Sequence, residues 1–330
     1  MYLNYESSRK ANMKINVLIN GGNRPRDMER LLTALMVQTR KLDALFILIH
    51  PRDTETADLL KNIVGSDITY TLICKDQSGP IVAMQKALQL MQCGVVAFTH
   101  DDAAPRPDWL ERMEIGFVSK PEIAGMGGRD LPVSAKFEDT PYCDVVGRVT
   151  WYGKIIANHH LPCSSVRQVE FLSGVNAAYC HDILLATGLN QRLQYQQDTA
   201  WYWELALGMA LKKQGLKQYY DPNMVVEHFP GKLFSDQKDG YWSAATRKRA
   251  QNETYLLLKY LSMFGRFACM LYVLMVGSRD SYGLLQLIRY WPREGGLAFR
   301  KFLDALRGRY KGMQTWMFPD NLIRVQRVKE

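Results

Sequence analysis

Two rhythms of apolar residues alternate along the chain. Short runs are apolar at nearly every position, and longer stretches place apolar residues every three or four. The run INVLI at 15–19 stops at Asn20-Gly21-Gly22-Asn23. Met28, Leu31, Leu32, Leu35 and Met36 then mark one face of a helix. ALFILI at 44–49 ends at His50-Pro51, residues 57–63 have helical spacing, and 68–73 form a third run. After Ser78-Gly79-Pro80, the positions Val82, Ala83, Ala87, Leu88 and Leu90 predict another helix. VVAF at 95–98 predicts a fourth strand, which delivers His100-Asp101-Asp102. Apolar strands alternating with helices predict an α/β fold with a doubly wound, mostly parallel sheet. Ligands bind such sheets beyond the carboxyl ends of the strands. Residues 20–24, His50, 76–79 and 100–102 therefore share one rim.

Two carboxylates and an imidazole at a strand end suit a divalent cation that holds a phosphorylated ligand. The plain alternative is that Asp101 or Asp102 caps the next helix. Asp108, just before Trp109, is the more natural cap. The glycines form no P-loop, since no Gly-Lys-Ser/Thr follows them, and Gly125-Met-Gly127-Gly128 is no dinucleotide fingerprint. His159-His160 invites a metal reading, but adjacent strand residues face opposite sides. A loop or ribbon is expected there.

Charge changes the picture at the C-terminal end. Residues 247–330 carry 16 Lys and Arg against 6 Asp and Glu, whereas residues 1–246 carry 26 against 27. The chain is therefore expected to divide into a catalytic part, 1–246, and a basic helical extension, 247–330. In the extension, 255–258, 267–276, 284–291 and 299–306 are apolar stretches with basic and aromatic flanks. That pattern suits helices in an anionic membrane interface, or a helical subdomain packed on the core. No run reaches the ~20 apolar residues of a membrane span. No nucleic-acid recognition motif accompanies the charge, and no nucleic-acid partner is expected. The six cysteines form no CxxC pair and read as free thiols of a reducing compartment. The opening MYLNYESSRKANMK has no apolar run, so no secretory leader is expected. The expectation is a cytoplasmic protein, peripheral at the inner membrane face.

The order of motifs resembles the family-2 glycosyltransferases, over roughly residues 14–230. Ile19-Asn-Gly-Gly-Asn-Arg-Pro25 is similar to that family's opening strand and turn. Residues 98–110, FTHDDAAPRPDWL, resemble its DxD signature followed by P-x-P-x-W-L. Residues 171–179, FLSGVNAAY, are similar to its GxN segment. Trp201–Leu207, Lys213-Gln-Gly215, Tyr220-Asp-Pro222 and Val226-Glu-His228 resemble its closing block. The chain also departs from the pattern. His100 stands for the first Asp of DxD, His50-Pro51 for the strand-2 acid, and Trp201-Tyr202 for a Glu-Asp pair.

The resemblance implies a GT-A fold and an inverting, metal-dependent transfer of a sugar from a nucleoside-diphosphate donor. The acceptor class it implies is a glycan, a lipid-linked or a cell-envelope molecule. Asp102, His228 and His100 are the expected ligands of Mn2+ or Mg2+, with Asp101 near the ribose or supporting a ligand. Asn20, Asn23, Arg24, His50 and Gln85 are expected on the nucleotide side. Glu204 is the expected base and Asp198 its rival. Gly174, Asn176 and Trp203 are expected on the acceptor side. The competing expectations are a degenerate relative that binds a nucleotide or glycan without turnover, and a membrane-surface scaffold.

Overall fold

The four apolar runs become four strands, and the first, second and fourth are buried on both faces, whereas in the third only Ile73 is buried. The structure, a computed structural model, describes residues 13–63, 69–75, 79–120, 122–133, 142–193, 200–229 and 243–318. Strands β1 (Ile15–Asn20), β2 (Ala44–Ile49), β3 (Tyr70–Cys74) and β4 (Val95–His100) lie parallel in the order β3-β2-β1-β4. They alternate with helices α1 (Pro25–Met36), α2 (Thr54–Ile63) and α3 (Pro80–Leu90). Helices α1 and α3 each carry Pro in the first turn, where a missing N–H is harmless. Helix α1 buries Met28, Leu31, Leu32 and Leu35 against the sheet, as its spacing predicts, whereas Met36, expected on the same face, is exposed.

The second half of the sheet is less regular. After β5 (Ala103–Pro105) come α4 (Trp109–Ser119) and β6 (Ile123–Pro132). Strands β7 (Arg148–Val149) and β8 (Ile155–Ile156) form a two-stranded ribbon. Then follow β9 (Arg167–Val169), β10 (Ala177–Cys180), α5 (His181–Thr187), α6 (Trp203–Lys213) and β11 (Lys217–His228). The sheet continues from β4 as β10-β6-β11-β5, with β9 also paired to β11. Strand β10 runs antiparallel to both β4 and β6, which the doubly wound expectation does not include. Strand β11 runs parallel to β6 and antiparallel to β5.

Two expectations at element ends change. His100 closes β4 rather than following it, because the strand runs two residues past the apolar stretch. Helix α4 begins at Trp109 as the spacing predicts, but Asp108 makes no side-chain cap. Its carboxylate accepts from Arg112 Nε at 2.5 Å, one turn along.

A buried amide ties the second half together. Asn176 Oδ1 accepts from Trp109 Nε1 at 2.8 Å. Its Nδ2 donates to the carbonyls of Arg129 (3.0 Å) and Met224 (2.8 Å). Helix α4, β6 and β11 are thereby held to one residue. Gly128 is required beside it: a Cβ there would lie 1.8 Å from the Met224 carbonyl oxygen, so β6 and the bulged part of β11 meet only without a side chain.

Contacts divide the chain into two compact units: Met1–Arg148 with Ile156–Gly231, and Val149–Ile155 with Lys232–Glu330. The division expected at 246/247 thus falls earlier, and one short segment from the middle of the chain joins the second unit. Within that unit lie α7 (Ser243–Tyr260), α8 (Met263–Met275), α9 (Leu284–Glu294) and α10 (Gly296–Met317). Helix α10 approaches α7 closely at Gly308 and Gly312, where a Cβ would sit 2.2 and 2.5 Å from backbone carbonyls of α7. Arg309, between them, is buried and donates to the carbonyls of Ser281 and Tyr282, each at 2.7 Å. No helix among the described residues is long and apolar enough to cross a membrane.

Replacing Asn176 by Ala leaves one buried N–H and two buried carbonyls without this partner. The expected loss is roughly 3 kcal/mol of stability, read as a lower urea midpoint with an unchanged m-value. A midpoint equal to wild type would show that the amide does not hold the sheet.

Candidate metal centre

Four strand ends meet at one point. Asn20 at the end of β1 pairs in register with His100 at the end of β4. Asp101 and Asp102 form the turn into β5. The antiparallel ladder between β5 and β11 sets His228 opposite Ala103, and Phe229 N–H donates to the Asp102 carbonyl at 2.8 Å. Strand β6 brings Asp130. One ligand atom each from His100, Asp102 and His228 lies within 4.8 Å of the others, the spacing of a metal site.

Charges in this corner are interlocked. Arg24, in the loop after β1, bridges Asp101 and Asp102 with its guanidinium. Asp101 also accepts from Gly22 N–H at 2.6 Å. Burial pushes the Asp101 pKa up, and Arg24 opposes it. For Asp102 burial loses to His228, His100 and Arg24, which hold its carboxyl well below the usual range. Burial lowers the His100 pKa, so its imidazole is neutral and able to coordinate. His228 lies between Asp102 (3.4 Å from Nε2) and Asp130 (3.0 Å from Nδ1). Burial works against its charged form, but the two carboxylates raise its pKa to about 10.

The residues fit a cation. The Oδ1 of Asp102 is buried and makes no hydrogen bond, with the His228 Nε2 only 3.4 Å away. Its Oδ2 is held by Arg24, so one oxygen is anchored and the other is open. The donor set is one carboxylate oxygen and two imidazoles; with a pKa of about 10 His228 carries a proton on each nitrogen, and a cation would take the place of the one on Nε2. His228 turns its Nδ1 to Asp130, whose Oδ2 accepts from Ser173 Oγ at 3.2 Å. A carboxylate behind a ligating histidine fixes the ring and its tautomer.

Asp130 is absent from the sequence-predicted set. Its signal is the one used for His100–Asp102, a carboxylate at the end of a buried strand, but Gly127-Gly128-Arg129 interrupts the apolar run before it. Lys75 is a second omission. It is buried just beyond β3, and its Nζ donates to the Gly21 carbonyl, pinning the loop that carries Arg24.

The other expected residues scatter. Asn20 is half-buried, with its Oδ1 lacking a hydrogen bond. Asn23 is exposed, at a positive φ of 59°. His50 accepts from Arg52 N–H at 3.2 Å, a local turn. Arg24, expected on the nucleotide side, bridges two carboxylates. Gln85 bonds Leu189 O and Gln191, which ties α3 to the segment after α5 rather than to the rim. Asn176 is wholly buried in the network described above, out of reach of an acceptor. Trp203 packs on Phe98 with ring centroids 5.0 Å apart, and Gly174 leaves the space its indole fills. Both therefore serve the packing beneath α6 rather than an acceptor surface. His159 is likewise a core residue: it bonds the Phe171 carbonyl, and burial lowers its pKa to about 4. Of the six cysteines, Cys163, Cys180 and Cys269 are buried and Cys74 and Cys93 are exposed. Asp198 lies outside the described residues.

Glu204 occupies the first turn of α6, directly after Trp203. Since Trp203 packs on Phe98, the start of this helix lies over β4. Burial raises the Glu204 pKa to about 7. Tyr202, just before the helix, has φ 70°, a left-handed backbone that a tyrosine rarely adopts.

No known family profile matches the chain, and no curated protein matches it in sequence. Solved structures do. The mannosyltransferase PcManGT from Pyrobaculum calidifontis, in complex with GDP-Man and Mn2+, superposes with a TM-score of 0.53 at 13% identity, over 95% of this chain and 89% of that one. GalNAc-T7 with UDP, GalNAc and Mn2+ gives 0.55 at 11% identity, over 76% of this chain and 48% of that one. The fold is that of the GT-A glycosyltransferases. The strand-end cluster is thus set in a sheet of the GT-A type.

Calorimetric titration of Mn2+ checks the cluster. Asp102→Asn and His228→Ala are expected to abolish binding. Asp130→Asn, which removes only the support behind the ring, is expected to weaken it 10–100-fold. Wild-type affinity in all three variants would move the cation elsewhere.

Proposed function

We propose that this protein is a metal-dependent glycosyltransferase of the family-2 type. It moves a sugar from a nucleoside-diphosphate donor to a hydroxyl of a glycan or lipid-linked acceptor, with inversion. The observation that carries this reading is the open Asp102 oxygen between two imidazoles, at the carboxyl rim of a GT-A sheet. The similar structures named above contain Mn2+ together with GDP-Man, or with UDP and GalNAc, which supports the donor class. Two nitrogen donors favour Mn2+ over Mg2+, which prefers an oxygen shell.

Asp102, His100 and His228 would hold the ion. When bound, it supplies positive charge that stabilises the departing diphosphate. Asp130 keeps the His228 ring turned so that Nε2 faces the site. Arg24 keeps Asp101 and Asp102 in place and offsets their mutual repulsion. Glu204 is the proposed base: its carboxylate takes the proton of the acceptor hydroxyl. The acceptor oxygen then bonds to the anomeric carbon as the bond to the diphosphate breaks, and that electron pair leaves with the nucleotide. A carboxylate with a pKa near 7 is well matched to this task, since it is ionised at working pH yet basic enough to accept a proton.

The pH profile tests the assignment. A base with a pKa of about 7 is inactive when protonated, so kcat/KM is expected to rise tenfold per pH unit below 7 and level off above 8. Glu204→Gln is expected to lower kcat about 10²–10⁴-fold and to abolish that rise, while donor binding stays unchanged. A variant that keeps full activity would remove Glu204 from the chemistry. Tight donor binding by the wild type, with no transfer or hydrolysis of any nucleoside-diphosphate sugar, would favour the non-catalytic relative.

A further inference from the structure

Helices α8 and α9 present an apolar surface to solvent among the described residues. On α8, Phe264 and Phe267 are 79% and 76% exposed, and Leu271, Leu274 and Met275 continue the same stripe. The opposite face buries Gly265, Cys269 and Val273, so the helix is anchored by one side and bare on the other. Helix α9 buries no residue, and Leu284, Leu285, Ile288 and Trp291 are exposed along one of its faces. Tyr290, on another side of α9, stacks on Tyr282 at 5.3 Å and holds the helix to the unit.

The charge around this surface has one sign. The acids of these helices face inward or are paired: Glu294 with Lys301 at 2.9 Å, Asp304 with Arg247 and Arg307, and Asp280 with Arg249. Glu253 is packed near the buried Arg309. Arg279, Arg289, Arg293 and Arg300 are exposed and have no acidic partner among the described residues.

We propose that the α8–α9 face is the seat of this protein on an anionic lipid surface. The stripe residues enter the boundary between headgroups and acyl chains, and the four arginines contact lipid phosphates. Large apolar side chains flanked by basic ones, without a polar group that needs a specific partner, match the chemistry of a membrane interface. A second copy of the same face is a poor occupant, because it would set these arginines against their own kind. The inference uses none of the transfer chemistry, and its test does not depend on activity.

The test is cosedimentation of the full chain with phosphatidylcholine vesicles containing 30% phosphatidylglycerol, and with phosphatidylcholine alone. The expected result is at least tenfold stronger partitioning to the anionic vesicles at low salt, falling steeply at 0.5 M salt. The double variant Phe264→Ser/Phe267→Ser is expected to lose at least tenfold in partitioning with an unchanged melting temperature, since both rings are exposed. Arg289→Glu/Arg293→Glu is expected to do the same. Equal pelleting of wild type and variants, or no pelleting of wild type with anionic vesicles, would overturn the proposal. It would also be overturned by a dimer in solution that the Phe variant dissolves, which would assign the face to a second copy.

Discussion

Three carboxylates stand within one corner of a largely buried sheet, and their mutual repulsion must be cancelled before anything else there can hold shape. Arg24 bridges Asp101 and Asp102, and His228 lies between Asp102 and Asp130. Carboxylates in such surroundings persist only when paired and hydrogen-bonded. The pairing explains features that otherwise look unrelated. Loop 20–24 is pinned by Lys75 on the Gly21 carbonyl, because a drifting loop would withdraw Arg24. Arg30 on α1 stacks over Phe229 at 4.0 Å, which fixes the chain just after His228. The arrangement also leaves one Asp102 oxygen open, and the proposed chemistry starts from that atom.

The first half of the fold was legible because buried parallel strands write themselves as unbroken apolar runs. Strand β2 has the predicted bounds, and β1 and β4 run only one and two residues beyond theirs. The direction of β10 was not legible. Ala177-Ala-Tyr-Cys180 is apolar throughout, and apolarity does not tell a parallel neighbour from an antiparallel one. The residues of the cluster were legible where a run ended at a polar group, as at His100–Asp102 and His228. Asp130 was hidden because its strand is built from glycines, required by the close approach to β11 and Tyr179. Asn176 shows the converse. A polar residue between glycine and apolar positions looked available for a ligand, yet its amide is consumed by a tryptophan and two carbonyls. Arg24 was legible as a rim residue but not in its partners, since pairing across 77 positions leaves no local trace.

In the helical unit the sequence pattern marked the elements but not which faces would be covered. Leucines and phenylalanines on α8 divide between a packed side and a bare one only in three dimensions. The glycines of α10 show why: Gly308 and Gly312 draw that helix onto α7, and contact between these two exceeds that between any other pair of elements in the unit. Helices α8 and α9 are left at the periphery, each with one side uncommitted.

The ladder joining β5 to β11 has a further consequence. Asp102 lies one residue before β5 and His228 ends β11, and the Phe229 N–H closes onto the Asp102 carbonyl, so backbone pairing sets how far apart these two residues stand. An arriving ion would meet ligands already placed side by side, and its main cost would be displacing the proton that His228 holds between Asp102 and Asp130. The same stiffness limits tolerance: an ion whose radius or bond angles differ from that spacing has no hinge on which the two strand ends could readjust.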